Sequence, residues 1–194
     1  MLDTGCGTGR AMRFVARELP RLAVRGNDPS RDLLRVATGD HRIAASALDC
    51  ASTDFLPYRD DAFDAVIATG VMHHVPDPDA VVREMLRVAR KGIFISDSNI
   101  FGRGPVPARV LKLALARAHL LRPINRWRRG GHDWFVSEGD GVVWSYSVYD
   151  SLPRVAAACA ETAVISTNPP GVTGRPLLRS THCLLAGFKQ PLPR

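Results

Sequence analysis

The sequence predicts an α/β fold built on a doubly wound, mostly parallel sheet with helices on both faces. Three observations predict it. Short apolar runs of strand length alternate with stretches of helical period. A glycine-rich turn, Gly5-Cys6-Gly7-Thr8-Gly9, directly follows a strand and opens a helix. The runs at 63–68 and 93–96 are almost continuously apolar, as strands buried on both faces are.

Taken in order, Met1-Leu2-Asp3 ends a first strand. Residues 10–19 form a helix with Met12, Phe14, Val15 and Leu19 apolar, stopped by Pro20. Leu22-Ala23-Val24 reads as a short strand before Gly26-Asn27-Asp28-Pro29-Ser30, where Ser30 or Asp28 caps a helix carrying Leu33, Leu34 and Val36. Residues 43–48 make a weaker strand. Residues 76–89 are helical by the spacing of Val81, Val82, Met85, Leu86 and Val88, and Gly92 is expected to end that helix. Residues 101–150, rich in Gly, Pro, Arg and aromatics, interrupt the alternation. A helix at 152–160, a strand at 162–166, a Pro/Gly loop and a last strand at 182–188 then complete the chain.

The 194 residues suit one domain, 1–194, with 101–150 as an insertion over its open edge. At 45% hydrophobic and 23% charged, the composition excludes a disordered tail, a fibre and a disulfide scaffold. Cys6, Cys50, Cys159 and Cys183 show no C-x-x-C spacing, so no metal site is expected, and a reduced, cytoplasmic setting is. No run of about 18 apolar residues is long enough to span a membrane. The net charge is +7, and residues 101–135 hold eight basic residues against one acid, so the excess lies in that one segment.

The chemistry concentrates in Asp3-x-Gly5-x-Gly7-x-Gly9. Glycines there let the chain turn sharply and let a ligand lie against the backbone, while the helix start adds oriented N–H groups. Nineteen residues past Gly9, Asp28 ends the next strand, where a carboxylate can accept hydrogen bonds from both hydroxyls of a ribose. The dinucleotide fingerprint G-x-G-x-x-G fails, since its third glycine would be Arg10.

With Leu56-Pro57-Tyr58, Asp61-Ala62-Phe63-Asp64-Ala65-Val66, Val71-Met72-His73-His74-Val75 and Glu84-Met85-Leu86-Arg87-Val88, the chain resembles the class I S-adenosylmethionine-dependent methyltransferases, especially their small-molecule, type 11-like branch. The resemblance covers residues 1–100 closely and the last two strands by pattern. It implies a Rossmann-like methyltransferase fold with an antiparallel last strand, and S-adenosyl-L-methionine as cofactor. Carried over by position, Gly5, Gly7 and Gly9 line its methionine half, Asp3 organises its amino group and Asp28 holds its ribose. The family's acid-small pair before Leu-Pro falls on Ser52 here. Asp49, with Cys50, or Asp54 is left to face the adenine, and Asp49 is preferred.

Methyl transfer is an in-line displacement, so a base is needed only for an acceptor that must lose a proton. His73 and His74 follow the fourth strand. Being adjacent, they are not expected to point into the site together, and loop packing is the more ordinary role for His74, as for Asp97. No catalytic residue is assigned. Asn168-Pro169-Pro170-Gly171 lies too late in the chain for a nucleic-acid methyltransferase motif and reads as a turn. Residues 127–149 hold six of the thirteen aromatics, Trp127, Trp134, Phe135, Trp144, Tyr146 and Tyr149, which suit a lid over an apolar acceptor, a small satellite core, or both. His132 and Asp133 offer that lid polarity or a base.

A helix over 107–121 is expected to pack with Val110, Leu111, Ala114, Leu115, Ala118 and Leu121, leaving Arg109, Lys112 and His119 solvated. Its basic edge, continued by Arg122, Arg126, Arg128 and Arg129, also admits a membrane surface, a lipid-linked acceptor or RNA. The preferred reading is an enzyme methylating a small or lipid-linked acceptor. The alternatives are a non-catalytic cofactor binder and an RNA methyltransferase using 103–129, nucleic acid being disfavoured. Only Met1 and Leu2 precede Asp3 in what should be a buried central strand, so the start is expected to be internal and the domain to lack its leading helix.

Overall fold

The computed structural model describes residues 1–167 and 176–191. In chain order the elements are β1 (Leu2–Thr4), α1 (Arg10–Glu18), β2 (Arg25–Asn27), α2 (Arg31–Gly39), β3 (Leu48–Asp49), β4 (Phe63–Thr69), α3 (Pro78–Val88), β5 (Ala89–Ser98), α4 (Val106–Arg117), α5 (Leu121–Arg128), β6 (Trp134–Ser137), β7 (Gly141–Trp144), α6 (Val148–Ala158), β8 (Glu161–Ser166), α7 (Pro176–Arg179) and β9 (His182–Phe188). The turn expected at 168–171 lies outside the described residues.

Seven strands form one sheet in the order β3-β2-β1-β4-β5-β9-β8, and β6 with β7 makes a separate antiparallel hairpin. The pairs β3–β2, β2–β1, β1–β4 and β4–β5 are parallel, while β9 runs antiparallel to both β5 and β8. The core lies along β1, β4, β5 and β9 against α3 and α6. Leu2, Val66, Val81, Val82, Met85, Val88, Ile93, Val155 and Leu185 are all fully buried there.

Local chemistry explains the helix starts. Ser30, not Asp28, caps α2, its hydroxyl accepting from the Leu33 N–H at 3.3 Å. Asp77 caps α3 with Pro78 at the first position, and Ser147 with Asp150 forms a capping box on α6. The Glu84–Val88 motif is also structural. Glu84 accepts from the Leu56 N–H, and Arg87 donates to the carbonyls of Leu56 and Tyr58, fixing the loop between β3 and β4.

Three expectations are corrected. The second strand is Arg25–Asn27, not 22–24, because pairing with β1 aligns Leu2 with Arg25 and Asp3 with Gly26. Gly92 does not end α3. The helix passes directly into β5 at Ala89, and Gly92 lies within that strand, where a Cβ would approach the Gly187 carbonyl oxygen to 2.6 Å. On α4 the polar residues turn inward. Arg109 donates to the Leu178 carbonyl at 2.9 Å, and Lys112 to those of Ile100 and Arg103 at 3.1 and 2.8 Å. Val110 and Leu111 are instead 52% and 59% exposed. The Ile100 and Arg103 carbonyls just beyond β5 and the Leu178 carbonyl of α7 need donors, and that need outweighs burial of a short aliphatic face.

Asn99, fully buried at the end of β5, is a polar knot in this region. Its amide donates to the carbonyls of Pro176, Leu177 and Ser180 at 3.3, 2.8 and 2.7 Å, and its carbonyl accepts from the Phe101 N–H and the Ser147 hydroxyl. Replacing Asn99 with Ala strands several buried polar groups and should lower stability by about 3 kcal/mol in urea denaturation.

Candidate active site

The carboxyl ends of the parallel strands open into a crevice of about 1470 Å³. Asp3, Gly5, Cys6, Gly7, Asp28 and Thr53 line one side, and Gly70, Val71, His74, Ser96 and Asp140 the other. A separate cavity of about 270 Å³, lined by Asp77, Arg122, Arg126, Arg129 and Trp144 among others, is reached by neither the glycines nor Asp28.

The glycine loop is tied to the end of β2. The Gly5 and Cys6 N–H groups both donate to the Asn27 carbonyl, at 2.8 and 2.9 Å, and the Gly7 N–H donates to Asp28 Oδ2 at 2.9 Å. Asp28 Oδ1 accepts from the Ser30 N–H at 2.8 Å. Gly7 and Gly9 have φ of +53° and +78°, which side chains other than glycine's rarely adopt. Their surroundings differ. A Cβ on Gly7 would meet nothing closer than Leu33 at 4.0 Å, whereas one on Gly9 would overlap Ile43 at 2.0 Å. Gly9 is absent from the crevice wall and serves the packing behind it.

Among the described residues α1 starts at Gly9 with no side-chain cap and no acid in its first turn, and Arg10 and Ala11 of that turn line the crevice. The start of α1 therefore leaves amide hydrogens for a ligand.

Asp3 is 1% exposed, and its Oδ2 has no hydrogen-bond partner among the described residues. Burial, then the neighbouring Asp28, pushes its carboxyl up to about 7. Burial, with Asp3 and Asp28 close by, also pushes the Cys6 thiol up to about 12, so it stays neutral. A buried, partnerless carboxylate beside a second acid suits a cationic group of a ligand.

Asp49 stands elsewhere. Its Oδ2 accepts from Arg25 Nη2 and from the Tyr58 hydroxyl, each at 2.7 Å, and it is not among the lining residues. Of these partners Tyr58 and then Arg25 pull its carboxyl below the usual range, against the opposing effect of burial. Ser52 hydrogen-bonds Asp54 and both are exposed, while Thr53, 4% exposed, reaches the wall. Sequence reasoning passed over Thr53. The one available signal was its place directly after the position matching the family's acid-small pair.

His73 and His74 occupy a 3-10 turn over Met72–His74, where backbone curvature sets both rings on one side, centroids 4.0 Å apart. The rings lie against one another, yet only His74 is among the residues lining the crevice, while His73 turns to Asp97. Asp97, 2% exposed, accepts from the N–H groups of Met72 and Ser98 at 2.9 and 2.6 Å and contacts His73 Nδ1 at 2.7 Å. That contact is the main cause holding the His73 imidazolium above the ordinary histidine range. Asp97 thus positions the loop and one imidazole. The lining residue Asp140 comes from the β6–β7 turn, far along the sequence. His132 lies against Trp134, with ring centroids 4.9 Å apart, and Asp133 lines the smaller cavity.

Gly9→Ala should cost about 2 kcal/mol or more of stability, from the left-handed backbone and the Ile43 overlap, and Gly7→Ala only about 1 kcal/mol. Thermal or urea unfolding of the two variants measures the difference.

A family model described as a methyltransferase domain matches residues 2–96. The methyltransferase GfsG of Streptomyces halstedii is 39% identical over 110 residues, covering 54% of this chain and 38% of that protein. A phosphatidylethanolamine N-methyltransferase of Cereibacter sphaeroides is 32% identical over 123 residues, covering 60% of this chain and 58% of that protein. The chain therefore spans less than two thirds of the length of these curated relatives. A solved SAM-dependent methyltransferase from Methanosarcina mazei superposes with a TM-score of 0.62 at 15% identity, covering 97% of this chain and 91% of that one, a likeness of fold. The matched segment carries the glycine loop and both histidines, and residues 2–96 belong to the methyltransferase domain family.

Proposed function

We propose that the chain transfers a methyl group from S-adenosylmethionine to a small-molecule or lipid-linked acceptor, with the crevice as the shared site. The carrying observation is Asp3, buried, without a partner for Oδ2, and set beside Asp28 in the crevice wall. The residues present fit the cofactor. Asp3 takes its ammonium group. Each Asp28 oxygen already accepts one N–H and keeps lone-pair capacity for a ribose hydroxyl. Gly5 and Gly7 leave the backbone bare where the chain bends into the crevice, and Thr53 borders the base side in place of Asp49.

The cofactor brings an activated methyl group. The chain's own task is to align it and to exclude water. Asp97 holds the His73 ring in place beside its neighbour His74. His74 faces the crevice, where its ring can contact the acceptor.

The ionised form of Asp3 is the one that binds a cation. Its carboxyl titrates at about 7 in the free protein and lower in the complex. Affinity for S-adenosylmethionine should therefore rise as pH goes from about 5 to about 7, by at most about tenfold per unit, and then level off. Calorimetry measures this. Asp3→Asn should flatten the profile and weaken binding by about tenfold or more. A chain that binds no S-adenosylmethionine at any pH would remove the proposal.

The lipid-linked acceptor is supported by the insertion. Val106, Val110, Leu111, Leu120 and Trp127 are between 49% and 83% exposed, in the segment that holds the basic excess. Exposed apolar side chains in a segment rich in arginine suit an anionic lipid surface. Among the described residues no helix is long and apolar enough to cross a membrane. Sedimentation with phosphatidylglycerol vesicles should carry the protein down, and Leu111→Ser with Trp127→Ala should reduce this about tenfold. Equal sedimentation with uncharged phosphatidylcholine vesicles, or none with either, would leave a freely diffusing small molecule as the acceptor.

A further inference from the structure

The turn after β4 and the tip of the β6–β7 hairpin meet at the mouth of the crevice through His73, His74 and Asp140. Nδ1 of His73 faces Asp97 Oδ1 at 2.7 Å, and Nδ1 of His74 faces the Val142 carbonyl at 3.0 Å. A ring nitrogen beside a carboxylate or a carbonyl carries the hydrogen, so in each neutral ring the lone pair is on Nε2. Both Nε2 atoms face the same carboxylate, that of His73 3.4 Å from Asp140 Oδ2 and that of His74 3.5 Å from Oδ1.

These separations are long for an imidazolium–carboxylate hydrogen bond, which closes to about 2.7–2.9 Å. They match instead the distance between two ligands of one tetrahedral ion, about 3.3–3.4 Å for bonds of about 2.0–2.1 Å. One ligand atom from each of the three residues lies within 4.8 Å of the others.

We propose that His73 Nε2, His74 Nε2 and the Asp140 carboxylate bind one divalent ion of the zinc class. Two imidazoles and a carboxylate suit Zn²⁺, Co²⁺ or Ni²⁺ better than the oxygen-seeking Mg²⁺ or Ca²⁺. The outer partners are of the usual kind, a buried carboxylate behind one histidine and a main-chain carbonyl behind the other. Three protein ligands leave a fourth position open, as in a site that takes water or a ligand oxygen. His74 and Asp140 line the same crevice as Asp3, so an ion there adjoins whatever occupies it. It would also fasten the hairpin to the turn after β4 and set how far the crevice opens. Ligands from two distant loops leave no short motif, and cysteine spacing says nothing about them.

The site stands independently of methyl transfer, and its test needs no activity. The full chain carrying Cys50→Ser, which removes the exposed thiol, is titrated with Co²⁺ alone. The expected result is one equivalent bound, the strong visible absorption of tetrahedral Co²⁺, and its loss on adding Zn²⁺. His74→Ala and Asp140→Asn lie at partly open positions and should fold. Each should weaken binding at least tenfold. Asp97→Asn should weaken it by about 10- to 100-fold through the His73 ring. No stoichiometric binding, or binding unchanged in both His74→Ala and Asp140→Asn, would overturn the proposal and leave an ion-pair latch between the two loops.

Discussion

Much of this structure depends on how the glycine loop is held to the end of β2. Two loop amides share the Asn27 carbonyl and a third reaches the Asp28 carboxylate, so the loop cannot swing away from the sheet. β1 is only three residues long and is buried between β2 and β4. Its direction sets where Asp3 lies, where α1 begins and which amides face the crevice. The same contacts use up the inward-facing donors of Gly5, Cys6 and Gly7. Hydrogen-bond capacity for a ligand is then left mainly at the start of α1 and on the outer lone pairs of Asp28.

Four carboxylates near the carboxyl ends of the strands show how surroundings decide a role. Asp3 is buried with an unpartnered oxygen and holds its proton to about pH 7. Asp28 is stapled by two backbone amides and still borders the crevice. Asp97 spends both oxygens on amides and on His73, and so acts through its neighbours. Asp49, chemically the same, is instead engaged by Arg25 and Tyr58.

The segment around α4 and α5 inverts the usual arrangement of a helix. Arg109 and Lys112 turn toward carbonyls of the domain, while Val110 and Leu111 face outward. Arg129 likewise turns inward, donating to the Ser145 hydroxyl at 2.9 Å and lying over the Phe135 ring at 4.6 Å. With Arg126, which donates to the Gly131 carbonyl at 2.9 Å, half of the segment's eight basic residues are spent on internal hydrogen bonds, and exposed apolar side chains stand among the rest.

The alternation of apolar runs, the acid ahead of three spaced glycines and the carboxylate after β2 were legible in the chain because each is a local pattern with a local cause. Strand period, helix caps and positive φ act within a few residues. Other outcomes needed the fold. Gly92 looks like a helix stop until β9 is seen to press against it. Asp49 and Asp54 look as eligible as any acid until Arg25 and Tyr58 claim the first and Ser52 the second. The face of α4 that packs was set by carbonyls of the turn after β5 and of α7, and Asp140 reached the histidines from far along the chain. Hydrogen-bond demand and close approach between distant segments carry no periodicity, so the chain holds the pieces of the site while packing selects which of them meet.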